Sequence, residues 1–159
     1  MIDKFEGDYA FLSNFYESPF MYKGITYPTV EHAFQAAKTL NPVEMYRIAK
    51  APTPGQAKRL GRSVNLRADW ETIKYSVMTE LVREKFYSSA ELAEKLLATG
   101  DEELVEGTTW HDNIWGNCTC DKCKNIQGQN HLGKILMQIR QEIRAVRWLV
   151  NEMKKDIQE

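Results

Sequence analysis

Apolar residues recur at three- and four-residue spacing through most of the chain after Val30, and this periodicity restricts the chain to a mainly helical fold. The pattern is longest at the carboxyl end, where it begins near Asn130 and continues to about Met153. Capping residues, prolines and glycines bound the shorter periodic segments before it. The sequence therefore predicts six helical segments, over about residues 30–40, 43–50, 54–60, 70–86, 88–100 and 130–153.

Two short apolar runs near the amino terminus break the helical pattern. The runs Phe20–Met21–Tyr22 and Ile25–Thr26–Tyr27 flank Lys23–Gly24, which is typical of a tight hairpin turn. With 43% apolar and 27% charged residues, the chain can bury a sizeable core. We expect a mainly α, compact single domain over residues 1–159 with a small β-hairpin near the amino terminus.

The charge balance excludes a uniformly basic nucleic-acid-binding surface, because 21 basic residues face 22 acidic ones and the net charge is −1. Residues 47–67 nevertheless contain six lysines and arginines and no acid, so we expect them to form one wall of a pocket for a phosphorylated sugar. No apolar run has the length of a membrane span, and the amino terminus lacks the layout of a secretory signal. We expect a cytoplasmic protein without a membrane partner.

Glu31, Gln35 and Lys38 share one edge of the first predicted helix. At about 100° per residue, their side chains lie within about 60° of one another and beside the apolar stripe. One interpretation is a solvated set of charges on the helix surface. The other is a half-buried edge on which the glutamate is a general acid or base and the lysine, through a lowered pKa, a nucleophile. His32 lies about 100° away and is expected to make a capping or surface contact instead.

The helical periodicity disappears over residues 101–128, and a long loop in a compact domain is often functional. Asp112 lies between Trp110 and Trp115 in this loop, which suits a pocket that stacks a planar ring beside a carboxylate. The alternative is that the tryptophans only fill the core.

Three cysteines, Cys118, Cys120 and Cys123, form a C-x-C-x2-C cluster in the same loop. Either His111 upstream or His131 downstream would complete a tetrahedral zinc site, and four such ligands would make the zinc structural. Free reduced thiols are the alternative.

Five motifs in order, spread over about residues 5–145, resemble those of the NADAR (YbiA-like) family. They are Ser13–Asn14–Phe15, the run from Thr29 to Lys38, Gly61–Arg62 with Arg67-x-Asp69–Trp70, Asp112-x-x-Trp115–Gly116, and the run from Gly128 to Arg140. The resemblance implies a compact, mainly helical fold and an N-glycosidase activity without a required cofactor. The implied substrate is a phosphorylated ribosyl or ADP-ribosyl compound, either an early riboflavin-synthesis intermediate or ADP-ribose on guanine, free or carried on nucleic acid.

The resemblance also implies a set of site residues. Glu31 and Asp112 are the expected carboxylates, and Lys38 is the alternative nucleophile to water, through an imine. The expected substrate-binding residues are Ser13, Asn14, Phe15, Arg62, Trp70, Trp115 and Asn130. Two other functional classes stay open at this point: a non-catalytic module that binds NAD or ADP-ribose, and a zinc-stabilised interaction module.

Overall fold

A computed structural model describes residues 1–158 of the chain. The predicted mainly helical class with a small hairpin near the amino terminus is confirmed. The elements in chain order are a 3-10 helix (Gly7–Leu12), β1 (Phe20–Tyr22), β2 (Ile25–Tyr27), α1 (Val30–Ala36), α2 (Pro42–Ala49), α3 (Pro54–Gly61), α4 (Trp70–Tyr87), α5 (Ala90–Ala98), β3 (Gly107–Thr108), β4 (Asn117–Cys118) and α6 (His131–Gln158).

The described residues divide into two compact units. The first unit comprises Phe5–Ser89 and contains the hairpin and α1 to α4. The second unit comprises Met1–Lys4 and the chain from Ala90 onward, with α5, α6 and the pair β3–β4. A single domain over residues 1–159 stays a prediction.

The hairpin of the first unit has the predicted form. β1 and β2 pair antiparallel, with Phe20 opposite Tyr27 and Tyr22 opposite Ile25. Lys23 (φ 50°) and Gly24 (φ 85°) both lie in the left-handed region, as a two-residue turn between twisted strands requires.

Helix α1 is shorter than predicted, because it ends at Ala36 rather than Leu40. After Ala36 the backbone forms a tighter turn with i to i+3 hydrogen bonds. In one of them, Lys38 N donates to Gln35 O. The next helix then starts at Pro42 with Asn41 as its cap, so the proline begins α2 instead of following a long α1. Every residue of α1 is buried, so its polar side chains lie inside the unit.

Helices α3 and α4 complete the surroundings of α1. α3 begins at Pro54 with Thr53 as its side-chain cap, as the Thr–Pro pair predicts, and it packs on α1. α4 also packs on α1, and the ring centroids of Phe34 and Trp70 lie 5.0 Å apart. The core of α4 is formed by Val77, Met78, Leu81, Val82 and Phe86.

The second unit is built around α6, whose buried face carries Leu132, Leu136 and Ile139. α6 continues to Gln158, five residues beyond the predicted end at about Met153. The predicted loop over 101–128 contains the two-residue strands β3 and β4, which pair in parallel. No helix within residues 1–158 combines the length and apolar character that crossing a bilayer requires.

Candidate functional site

Glu31 is a buried carboxylate at the start of α1. Its residue is only 8% exposed, and its Oε1 accepts a hydrogen bond of 2.8 Å from Gln35 Nε2, one turn later. Burial raises the pKa of Glu31 above its ordinary value, and the Gln35 N–H together with the charges of Lys58 and Lys38 only partly offset that effect. A raised pKa favours the protonated form of a carboxyl group and so suits it to donate a proton in a reaction.

Lys38 is half-buried beside this carboxylate, on the tightened turn after α1. Burial lowers the pKa of Lys38, and the nearby cations Lys58, Arg62 and Lys74 lower it further, whereas Glu31 acts in the opposite direction. Crowding by other cations and burial are the two effects that make a lysine amine nucleophilic. The structure therefore brings Glu31, Gln35 and Lys38 together on one edge, which is buried at Glu31 and Gln35 and half-buried at Lys38 rather than solvated.

Gln35 connects this edge to α3. Gln35 is 4% exposed, and a methyl group added at Gly61 would lie 1.9 Å from Gln35 Oε1. Only a residue without a Cβ allows α3 to approach this closely, which explains why the helix ends in glycine. Gln35 Oε1 has no hydrogen-bond partner among the described residues, so an acceptor remains buried beside the carboxylate.

α3 brings the positive charge of the site. Lys58 lies three residues before Gly61, and Arg62 directly follows it as the cap of the helix, so both cations are near the contact with Gln35 in the chain. Arg62, predicted to bind phosphate, is exposed at the end of α3. Lys58 is not among the site residues predicted from the sequence. Its position one helical turn before Gly61 is the sequence feature that could have indicated it.

The predicted binding residues near the amino terminus form a turn beside α1. Ser13 Oγ accepts a hydrogen bond of 3.1 Å from Phe15 N, and Asn14 O accepts one of 3.1 Å from Glu31 N. Phe15 is exposed, whereas Trp70 is 5% exposed and packs on Phe34. The turn therefore reaches the Glu31 backbone directly, and Trp70 lies in the core.

Asp112, Trp115 and Asn130 all lie in the second unit, and their polar groups have local partners. Asp112 Oδ1 accepts hydrogen bonds from the backbone N–H groups of Ile114 (3.1 Å) and Trp115 (2.9 Å). Asn130 is 8% exposed; its Nδ2 donates to Leu104 O at 2.9 Å, and its Oδ1 accepts from a neighbouring backbone N–H at 3.0 Å. These bonds give Asp112 and Asn130 a part in holding the loop, and their substrate roles stay predictions.

A cluster that could hold a metal ion forms in the same loop. The ligand atoms of His111, Cys118, Cys120 and Cys123 all lie within 4.8 Å of one another. His111 Nδ1 is 3.4 Å from Cys120 Sγ and from Cys123 Sγ, close to the spacing of about 3.5 Å between N and S ligands of a tetrahedral zinc ion. Burial acts to raise the pKa of the Cys118 thiol, but hydrogen bonds from the backbone of Cys120 and His111 and with the side chains of Cys120 and Cys123 together outweigh it and lower the pKa to about 6.

Of the three histidines, only His111 lies at the cysteine cluster. His111 joins the cysteines, whereas His131 Nε2 bonds Gln129 Oε1 at 2.7 Å. His32 is buried and bonds the cap residue of α1, as predicted: its Nδ1 lies 2.8 Å from Thr29 Oγ1 and its Nε2 2.9 Å from Ala51 O. Because a carbonyl only accepts, Nε2 donates to Ala51 O.

The comparison with known proteins agrees with the order of motifs in the sequence. The family model described as the NADAR domain matches residues 2–144, most of the chain. The chain belongs to the NADAR family. The predicted family is therefore confirmed.

Several NADAR relatives have been named for their activity. The chain is 41% identical over 138 residues to N-glycosidase YbiA of Escherichia coli, which covers 86% of this chain and 82% of that protein. It is 40% identical over 141 residues to an N-glycosidase of Nostoc punctiforme, with 86% of each chain covered. A riboflavin biosynthesis protein of Vibrio vulnificus is 38% identical over 138 residues, which cover 86% of this chain and 36% of that protein.

A solved NADAR structure has the same fold. The NMR structure of Escherichia coli YbiA matches with a TM-score of 0.78 and 36% identity, over 93% of this chain and 89% of that one. These relatives confirm the predicted enzyme class, a hydrolase that acts on N-glycosyl bonds.

Proposed function

We propose that this protein hydrolyses the bond between a base or amine nitrogen and the anomeric carbon of a phosphorylated ribose or an ADP-ribose. The observation that carries the proposal is the Glu31 carboxylate, which is 8% exposed, held by Gln35 and flanked by the cations Lys38 and Lys58. Cleavage of an N-glycoside needs a proton for the departing nitrogen and stabilisation of positive charge at the anomeric carbon. The Glu31 carboxyl group can supply the proton in its acid form and, once it has lost that proton, the negative charge beside the anomeric carbon.

Lys38 gives this site a nucleophile of its own. As a neutral amine, its Nζ attacks the anomeric carbon, the C–N bond breaks, and the leaving nitrogen keeps the electron pair and takes the proton of Glu31. Glu31 then accepts a proton from Nζ and returns it to the ring oxygen as the sugar opens to an imine. Water hydrolyses the imine, which releases the sugar and the free amine. In the competing route, Glu31 instead activates water for direct attack.

Lys58 and Arg62 suit a phosphorylated substrate. Both cations lie on α3 close enough to Lys38 to lower its pKa, so a phosphate that binds between them would sit beside the reacting sugar. The Vibrio relative's name supports an early riboflavin-synthesis intermediate as substrate. ADP-ribose on guanine, free or in nucleic acid, fits the same requirement for a phosphorylated ribosyl group.

Separate incubations with the two substrate classes test this function. The protein is mixed with ADP-ribosylated guanine nucleic acid or with early phosphorylated riboflavin intermediates, and released ADP-ribose or sugar phosphate is measured. We expect release from one class. Release from neither would contradict the enzyme proposal and favour a module that only binds ADP-ribose.

Reduction during turnover distinguishes the two routes. Sodium borohydride would convert the imine to a stable amine, so intact-mass measurement should show an adduct of the sugar that maps to Lys38. Lys38→Arg should give no adduct, while Lys50→Arg, an exposed lysine on the same basic segment, should trap as the wild type does. A fully active wild type that never traps would assign the nucleophile to water instead.

We also propose that the His111–Cys118–Cys120–Cys123 cluster binds one structural zinc ion. Three sulfurs and one imidazole nitrogen fill a tetrahedral site, so no position remains open for catalysis. Elemental analysis of protein purified without added metal should find near-stoichiometric zinc, and Cys123→Ser should lose it. Metal-free wild type whose melting temperature does not respond to added zinc would contradict this assignment.

A further inference from the structure

Lys85 is a charged side chain in the interior of the first unit. It lies on α4 and is 1% exposed, and burial of an ammonium group is costly unless its hydrogen bonds are satisfied. Its Nζ donates to Phe11 O at 2.6 Å and to Ser13 O at 2.9 Å, and lies 5.6 Å from the centre of the Tyr16 ring. Two backbone carbonyls at the end of the 3-10 helix thus accept hydrogen bonds from this ammonium group.

Those two carbonyls belong to the turn that leads to Asn14. The Asn14 carbonyl accepts the backbone N–H of Glu31 at 3.1 Å, and the Asn14 amide nitrogen lies 3.5 Å from Met78 Sδ, also on α4. A continuous set of contacts therefore runs from Lys85 through the turn to the backbone of the Glu31 carboxylate.

We propose that Lys85 is a positioning residue for Glu31, acting through the turn at residues 13–14. The proposal rests on the proposed function for its effect on turnover, because it assumes that Glu31 takes part in the reaction. A displacement of a catalytic group by a fraction of an ångström lowers the rate of the chemical step. Lys58 lies on α3 and Arg62 caps its end, and neither takes part in this connection, so their contacts with a substrate phosphate should be spared.

Lys85→Met tests the physical connection without reference to catalysis. This variant keeps most of the stem and removes the charge and the donors. Amide hydrogen exchange, measured by NMR, should be faster at the Glu31 N–H by about tenfold or more, because the hydrogen bond of that N–H is weakened. The exchange rates of the α6 amides should not change. Unchanged protection at Glu31 would overturn the proposal whatever the enzyme does.

Kinetics then separate positioning from a general structural role. Lys85→Met should lower kcat by about tenfold or more and change KM by a smaller factor. In a Glu31→Asp background the same change should have little further effect, because the carboxylate is already displaced. Equal losses in both backgrounds would overturn the proposal. A Glu31→Asp enzyme with the wild-type kcat would instead contradict the proposed function. The hydrogen-exchange measurement would still test the connection between Lys85 and Glu31.

Two further variants keep the proposal testable if Lys85→Met does not fold. Met78→Leu removes the sulfur next to Asn14 at nearly constant volume and should give a smaller loss confined to kcat. Lys95→Met, which removes a half-exposed lysine of α5, should leave kcat and Glu31 exchange unchanged. If Lys85→Met does not fold, Met78→Leu with wild-type kcat and wild-type exchange would overturn the proposal.

Discussion

Gln35 Nε2 donates a hydrogen bond of 2.8 Å to Glu31 Oε1, while the oxygen of the same amide, Oε1, faces Gly61 on α3. One side chain thus orients the buried carboxylate and sets how closely α3 approaches α1. The pairing joins the acid of the proposed reaction to the helix that carries Lys58. A change in the contact between α1 and α3 should therefore alter the position of the Glu31 carboxylate.

Gly61→Ala tests this contact. The new methyl would lie 1.9 Å from Gln35 Oε1 and 2.7 Å from its Cδ, so the amide must move and release Glu31. We expect a loss of about 1–3 kcal/mol in the free energy of unfolding. We also expect kcat to fall by about tenfold, the value of one hydrogen bond to a charged group. Urea unfolding and steady-state kinetics measure the two effects.

Gly55→Ala is the matched control on the same helix. A methyl there meets only Thr53 Oγ1 at 3.9 Å, an ordinary contact. Stability should stay within about 1 kcal/mol of the wild type, and kcat should not change. If Gly61→Ala behaves like this control, Gly61 does not transmit the packing of α3 to Glu31.

Lys58→Gln should move the pH dependence of kcat. The charge of Lys58 lowers the pKa of Glu31 and the pKa of Lys38, so its removal raises both. Both limbs of a bell-shaped profile should therefore shift to higher pH. KM for the phosphorylated substrate should rise by about tenfold, as one charge-assisted contact is lost.

Lys50→Gln removes an exposed cation from the same basic segment and should leave profile and KM unchanged. A Lys58→Gln profile that coincides with that of the wild type would show that this cation does not act on the reacting groups.

His111→Gly tests the zinc site by the sign of its effect on stability. His111 has φ 68°, a left-handed conformation that costs a residue with a side chain about 1–2 kcal/mol and glycine almost nothing. If the imidazole holds zinc, His111→Gly should lower the melting temperature and the zinc content together. If no metal is held there, the substitution should raise the melting temperature.

Lys23→Gly is the reference for that strain. Lys23 has φ 50° in the exposed hairpin turn, and it is remote in sequence from any cysteine. The substitution should leave stability unchanged or raise it. Stabilisation by both glycine variants would contradict zinc binding through His111.

The sequence predicts well what depends on local signals. Thr53–Pro54 and Gly61 bound α3 as observed, and Lys23–Gly24 forms the hairpin turn. The contact between Glu31 and Gln35 follows from helical spacing, and Lys38 joins them on the turn that follows α1. The 3-10 helix at Gly7–Leu12 is not predicted, because two turns of such a helix leave no periodic pattern.

Features that depend on contacts between residues far apart in the chain could not be predicted from the sequence. Both His111 and His131 are reasonable zinc ligands by position, and only the fold of the loop puts His111 beside the sulfurs. Lys85 looks like an ordinary helix lysine until the 3-10 helix packs over it. The burial of Glu31 likewise requires α3 to approach through Gly61.

The most direct test of the account is Glu31→Gln, with turnover and substrate binding measured on the same preparation. The amide keeps the shape of the side chain but cannot exchange protons at neutral pH. We predict that turnover falls by about 100-fold or more while the Kd for substrate stays within about threefold. Turnover at the wild-type rate would contradict the assignment of Glu31 as the acid–base group of an N-glycosidase.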